Sequence, residues 1–277
     1  MPAVLLVFVL FLVGLVWHQD LTKIFVSYRV EANREEAAEN AGLLISHRGA
    51  CTLAPENSLP AFRLAGELGY WGAECDVSVT KDGFLVLMHD STVNRTTNGR
   101  GLVNSFTLEE IRKLKIDVGA NVRYYTDLQV PTLEEFLQIC KEYGMTPVIE
   151  LKILLEDANY DTLISLLRQT GMEDEALVIS FDYVKLQKLR EKSPVHTMLL
   201  SKNPSKDIVD LVLTLENCDL GIDYRYCSRS LVRYAQEKGV LLNAYTVDDE
   251  MIFRDMTRWG IHFITTDLLK PASNEKS

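Results

Sequence analysis

The chain has 277 residues, with 29 basic and 39 acidic side chains and a formal net charge of −10. Hydrophobic residues make up 47% and charged residues 25%, a globular balance that excludes a disordered or collagen-like chain. The acidic excess argues against a nucleic-acid partner, which calls for a basic balance or patch. It leaves room for an anionic substrate wherever a metal or a few cations reverse the field locally.

The first feature along the chain is an uncharged apolar run from Ala3 to Trp17. No Lys or Arg precedes it and no small-residue cleavage pattern follows, so a membrane anchor fits better than a cleaved signal peptide. A span needs about 20 apolar residues, and this run is slightly short, with Trp17 suited to the interface. A buried helix is the third reading. The expected layout is an anchor or signal-anchor over residues 1–20, a charged linker over 21–40, a barrel domain over 41–271 and a tail over 272–277. The expected location is single-pass at the endoplasmic reticulum or plasma membrane. The first basic residues, Lys23 and Arg29, follow the run and favour a cytosolic domain. Asn94-Arg95-Thr96 is a glycosylation sequon that matters only in a lumen. Five scattered cysteines form neither a disulfide framework nor a zinc knuckle.

Beyond Ala41 the pattern becomes regular. Strands are expected at Leu43–Ser46, Ala73–Val79, Pro147–Leu151, Ala176–Ser180, His196–Leu200, Leu220–Asp223, Leu241–Tyr245 and His262–Thr265. Helical periodicity lies between most of them: Leu59–Leu68, Leu133–Tyr143, Tyr160–Gln169, Tyr183–Glu191, Lys206–Leu213, Ser230–Lys238 and Asp248–Trp259. Gly69, Gly144, Gly171, Gly239 and Gly260 stand where C-caps belong. Alternating strands and helices imply a parallel sheet, and eight units imply an α/β fold of the (β/α)8 TIM-barrel type. A doubly wound open sheet would carry a glycine-rich phosphate loop after its first strand, and none occurs there. The second unit departs from the pattern. Lys81-Asp82-Gly83 reads as a hairpin turn, Phe84–Met88 as an extra strand, and the stretch to Pro131 as an insertion at the barrel mouth.

In such barrels the chemistry sits at the C-terminal ends of strands. Those ends carry His47-Arg48, Glu74-Cys75-Asp76, His89-Asp90 and Glu150-Leu151-Lys152. Residues two apart on a strand share a face, so Glu74 joins Asp76 and Glu150 joins Lys152. Three carboxylates in one pocket repel, and a divalent cation relieves them. Oxygen ligands favour Mg2+ or Ca2+ over zinc. The alternative is a salt-bridge network with Arg48 and Lys152. His47 and His89 suit a general acid/base pair. Arg48 suits a phosphate oxygen. Metal, cations and an acid/base pair together point to phosphate-ester cleavage.

The order of His47-Arg48-Gly49, Pro55-Glu56-Asn57-Ser58, Glu74-Cys75-Asp76, Thr80-Lys81-Asp82-Gly83, His89-Asp90 and Glu150-Leu151-Lys152 resembles the glycerophosphodiester phosphodiesterase family. The likeness covers about residues 43–271 and extends through the run Val86–Gly101. The apolar N-terminal segment and Pro-Glu-Asn look most like the animal membrane-associated branch that includes glycerophosphoinositol phosphodiesterase. The resemblance implies one divalent metal at Glu74, Asp76 and Glu150. It implies His47 and His89 as acid and base, Arg48 and Lys152 on the phosphate, Glu56 beside the metal and Asn57 supporting the loop. Ser58 stands where the family usually has threonine. Tyr245 replaces the usual tryptophan over the substrate pocket, and Phe181 either adds to the apolar wall or packs in the core. The expected reaction is hydrolysis of glycerophosphodiesters such as glycerophosphoinositol or glycerophosphocholine. The alternative is a lysophospholipase D acting on lysophospholipids or N-acyl glycerophosphoethanolamines at a membrane. A catalytically dead barrel that binds headgroups would have lost a ligand or a histidine, and all are present.

Overall fold

The short apolar runs form strands, and glycine stops most of the helices between them. A computed structural model describes residues 42–152 and 156–271. The strands are β1 (Leu43–Ser46), β2 (Gly72–Val79), β3 (Leu85–Leu87), β4 (Thr146–Leu151), β5 (Leu177–Ser180), β6 (His196–Ser201), β7 (Cys218–Asp223), β8 (Leu242–Tyr245) and β9 (Phe263–Thr266). The helices are α1 (Leu59–Glu67), α2 (Leu108–Ile111), α3 (Leu133–Tyr143), α4 (Asp157–Thr170), α5 (Tyr183–Arg190), α6 (Lys206–Val212), α7 (Arg229–Glu237) and α8 (Glu250–Trp259). All five glycines expected at helix ends have positive φ, between 65° and 85°. Ser58 caps α1 by accepting from the amide of Ala61, and Thr132 and Glu135 form a capping box at the start of α3.

Eight parallel strands close into a barrel. The order runs β1-β2-β4-β5-β6-β7-β8-β9, and β9 returns to β1 along four register pairs, Leu43↔Phe263 to Ser46↔Thr266. That closure removes the open-sheet alternative. Strand β3 is antiparallel and pairs with the upper part of β2, from Val77↔Leu87 to Val79↔Leu85. The same edge of β2 pairs with β1 lower down, at Gly72 and Ala73. So β3 occupies the length of edge that β1 leaves free.

Side-chain alternation divides the core. Residues Ala73, Cys75 and Val77 of β2 point outward and pack under the helices, where Phe62 of α1 meets Phe136 of α3 edge-on at 4.6 Å. The inward faces form a second cluster of Ile45, Val148, Leu177, Ile179, Met198, Leu200, Leu241 and Phe263. The insertion between β2 and α3 carries a third, small core of Val86, Met88, Val93, Val103, Ile111, Ile116 and Val130. It includes one helical turn, α2, that sequence periodicity did not announce.

Among the described residues no helix is long and apolar enough to cross a membrane. The apolar run Ala3–Trp17 expected as an anchor, the linker over 21–40 and the tail over 272–277 lie outside the described residues.

Candidate active site

The chain leaves β1 through a tight loop that brings four site residues together. Arg48 adopts the left-handed region at φ 56°, Gly49 follows at 77°, and Asn57 sits at 51°. A Cβ on Gly49 would lie 2.8 Å from the carbonyl carbon of Ala61, so only glycine lets the loop rest on α1. A left-handed arginine costs about 1–2 kcal/mol. It is held by its amide, which donates to Glu74 Oε2 at 2.9 Å, and by its carbonyl, which accepts from the Asn57 amide at 3.0 Å. Asn57 in turn clamps Asp76: its Nδ2 donates to Asp76 Oδ2 at 2.7 Å, and its Oδ1 accepts from the Asp76 amide at 3.0 Å. Thus the loop supports β2 through both faces of one amide side chain.

Glu74, Asp76 and Glu150 meet at the barrel mouth. Asp76 and Glu150 are direct register neighbours on β2 and β4. One carboxylate oxygen from each of the three lies within 4.8 Å of the others, and all three residues are buried. Burial first, then the charges of Asp76 and Glu150, pushes the Glu74 carboxyl up to about 8. Glu150 is also pushed up, chiefly by burial and next by Asp76. Two cations answer them. Arg48 donates to Glu56 Oε1 at 2.9 Å and lies 3.3 Å from Asp76 Oδ2 through Nε. Lys152 donates to Glu150 Oε1 at 3.0 Å and lies 3.5 Å from Asp76 Oδ1. Burial opposes the Lys152 ammonium, yet Asp76 and Glu150 hold its titration above the ordinary range.

When all three are ionised, as metal binding requires, three carboxylates against two cations leave this cluster one negative charge. An anionic diester would be repelled by that balance, and a divalent cation reverses it. The donor set fits such an ion. Glu74 Oε1 and Asp76 Oδ1 are buried without a hydrogen-bond partner, which is costly for ionised oxygens unless something else ligates them. The salt-bridge alternative gives Asp76 Oδ1 only the Lys152 ammonium at 3.5 Å, without a hydrogen bond, and leaves Glu74 Oε1 with no partner at all.

Both histidines line the same cavity, and each is oriented by a carboxylate. His47 Nδ1 lies 2.8 Å from Asp267 Oδ1, after β9, and His89 Nδ1 lies 2.7 Å from Asp90 Oδ1. That contact places the Nδ1 proton and leaves Nε2 for chemistry. Burial works against the charged imidazole of His47, but the Asp267 hydrogen bond and the nearby Glu74 charge outweigh it, and the group titrates above its ordinary value. Asp90 is itself held by Arg95, whose Nε donates at 2.8 Å and keeps the carboxyl well below the usual range. Arg95 also makes two bonds to Glu56, at 2.7 and 2.8 Å. Glu56 therefore joins the first loop to the insertion, through Arg48 on one side and Arg95 on the other.

The cavity has a volume of about 240 Å³. His47, Arg48, Glu74, His89, Glu150 and Lys152 give it an ionisable lining. Phe181, Tyr245, Ile179, Leu200 and Lys202 also line it, with the Phe181 and Tyr245 rings edge to face at 5.9 Å. Phe181 is 43% exposed, so it walls the pocket and is not a core residue. Glu56, Asn57 and the buried Asp76 stand behind this lining. Sequence reasoning passed over Asp90, Asp267, Arg95 and Lys202. Asp90 stands beside His89 in the chain and was legible as a partner; Asp267 is 220 positions from His47, and no local spacing links them.

Comparison with known proteins matches this architecture. The family model described as "Glycerophosphoryl diester phosphodiesterase family" matches residues 47–270. A glycerophosphodiester phosphodiesterase of Caldanaerobacter subterraneus is 34% identical over 228 residues, covering 81% of this chain and 93% of that protein. The human glycerophosphodiester phosphodiesterase 1 is 42% identical over 109 residues, covering 39% of this chain and 33% of that protein. A phosphodiesterase from Oleispira antarctica, solved in complex with the product sn-glycerol-3-phosphate, superposes with a TM-score of 0.77 at 28% identity, covering 82% of this chain and 93% of that one. The animal likeness is thus confined to part of the chain, while the bacterial likeness runs through the barrel. With a family match that takes in every strand end described above, the chain belongs to the glycerophosphoryl diester phosphodiesterase family and is a glycerophosphodiester phosphodiesterase.

Proposed function

We propose that this enzyme hydrolyses small glycerophosphodiesters, of the glycerophosphoinositol and glycerophosphocholine kind, with His47 and His89 as its acid/base pair. A divalent cation, Mg2+ or Ca2+, would be held by Glu74, Asp76 and Glu150 and would polarise the phosphoryl oxygens. Arg48 and Lys152 stand beside those carboxylates, facing where phosphate oxygens would lie. One histidine takes a proton at Nε2 from the attacking hydroxyl, either water or a neighbouring hydroxyl of the substrate, the latter forming a cyclic phosphate that water then opens. The other gives a proton from Nε2 to the leaving alcohol. Asp267 and Asp90 stabilise the imidazolium on each side.

The observation that carries this reading is the pair of histidines on separate strand ends, each fixed at Nδ1 by its own carboxylate and both lining one cavity with Glu74 and Glu150. Replacing either histidine with alanine is expected to lower kcat by about 10²–10⁴-fold while leaving a cooperatively folded protein. Near-normal turnover in both variants sinks the assignment. A substrate panel with Mg2+, Ca2+ or a chelator tests the rest. Choline release from a lysolipid, but not from the deacylated diester, would move the activity to a lysophospholipase D.

Attachment to a membrane through Ala3–Trp17 is part of the proposal and rests on sequence. Deleting residues 1–20 should move the enzyme from carbonate-washed membranes to the soluble fraction. An unchanged distribution would refute the anchor.

A further inference from the structure

The cluster of Phe181, Tyr245 and Lys202 in the cavity lining has its own chemistry, and no step above uses it. Lys202, just beyond β6, is exposed at the pocket rim, and its Nζ lies over the Phe181 ring, 5.5 Å from the centroid. Arg48 and Lys152 are each tied to carboxylates, but Lys202 forms no ion pair within 4 Å among the described residues. The carboxylate that feels its charge, Asp223 at the end of β7, is already engaged by Arg225 through Nε at 2.9 Å and a second nitrogen at 2.6 Å. Beside Lys202 and Phe181 stands Tyr245, whose hydroxyl is buried and has no hydrogen-bond partner. A buried donor left unmatched is costly, so a ligand oxygen that fills it gains affinity.

Resting on the proposed reaction, we infer that Lys202 and the Tyr245 hydroxyl form a subsite that selects diesters with a polyhydroxyl or anionic substituent over those with a quaternary ammonium. A trimethylammonium group is recognised by open aromatic faces. Here one face of Phe181 already carries an ammonium, and that ammonium repels a second cation. An oxygen-rich substituent meets the reverse situation: three donors on Lys202 and one on Tyr245. Selectivity then comes from rejection as much as from attraction.

The test is kcat/KM for glycerophosphoinositol and glycerophosphocholine, with the full chain, in the wild type and in Lys202→Glu, Lys202→Arg and Tyr245→Phe. The wild type should prefer the inositol diester by about tenfold. Lys202→Glu should shift the ratio at least tenfold toward choline, and Lys202→Arg should keep the wild-type ratio. Tyr245→Phe should lose more on the inositol diester than on the choline diester. A wild-type preference for choline, or a ratio unmoved by the charge reversal, overturns the charge selection while leaving the reaction in place. Equal loss of both substrates in Tyr245→Phe places the hydroxyl on the glycerol they share and overturns its part in selection. A wild type inactive on every diester overturns the assigned reaction and the subsite with it.

Discussion

The lower and upper levels of the barrel interior are built from the same strands, on the same inward faces, yet they obey opposite rules. On β4, Val148 faces the apolar cluster and Glu150, two residues on, faces the acidic trio. On β2 the inward positions are Glu74 and Asp76. One level satisfies every side chain by packing. The other holds buried carboxylates with stranded oxygens. The lower level is where stability resides, and the upper level is where stability is given up for binding, a division expected of functional sites.

That contrast can be broken from either side. The largest effect is expected from Glu74→Gln, which keeps the shape but removes one charge. Hydrolysis should fall about a thousandfold, because metal-supplied stabilisation is worth several kcal/mol. In metal-free protein, however, the same change should raise stability at pH 8. The Glu74 carboxyl titrates in the folded chain at about 8, above its ordinary value of 4.5. The folded state therefore keeps a proton that the unfolded chain gives up between those values, and stability falls as pH rises across that window. His47, also raised, adds a stabilisation that is full below its unfolded value and lost as pH rises through the folded one, so its sign is the same. Melting curves of chelated protein from pH 5 to pH 8.5 should show this decline. It should shrink in Glu74→Gln and when the divalent ion is restored. A flat profile in the chelated wild type would contradict the description of the upper level.

The mirror experiment is Met198→Ala, fully buried in the lower cluster. It should cost about 2–5 kcal/mol of stability and leave kcat/KM close to wild type below the melting range. A matching loss of kcat/KM would mean that the two levels are coupled. Asp267→Asn is the finer probe of the upper level. It keeps the hydrogen-bond reach to His47 and removes the charge, so kcat should fall about tenfold or more, with its pH profile moved to lower pH as the imidazole loses its counter-charge. The smallest effect belongs outside both levels. Thr132→Ala removes the capping box of α3 and should cost about 1 kcal/mol, read as a shift in denaturation midpoint with no change in turnover.

The sequence was informative where structure is local. Short apolar runs marked the strands, and glycines marked helix ends because left-handed backbone has a steric cost for other residues. His47-Arg48-Gly49 and Glu74-Cys75-Asp76 were legible as site residues because charge inside an apolar run needs a reason. What could not be read was pairing across the barrel. Asp267 reaches His47 only because β9 closes on β1. Arg95 reaches Glu56 only because the insertion folds back over the first loop. The third core was hidden for a related reason: its members come from irregular backbone, where neither helical nor strand periodicity applies. Nothing in the residues around Lys202 shows that β6 brings it over Phe181.

The shared edge of β2 has an evolutionary side. His89 is delivered by three register pairs between β2 and β3, on a stretch of edge that barrel closure does not need. Beyond Asp90 and Arg95, which brace the site, the excursion to residue 131 hangs from that edge and leaves the strand that carries His47 untouched. The rim above the pocket can then vary in length while β1 and its His47 stay in place.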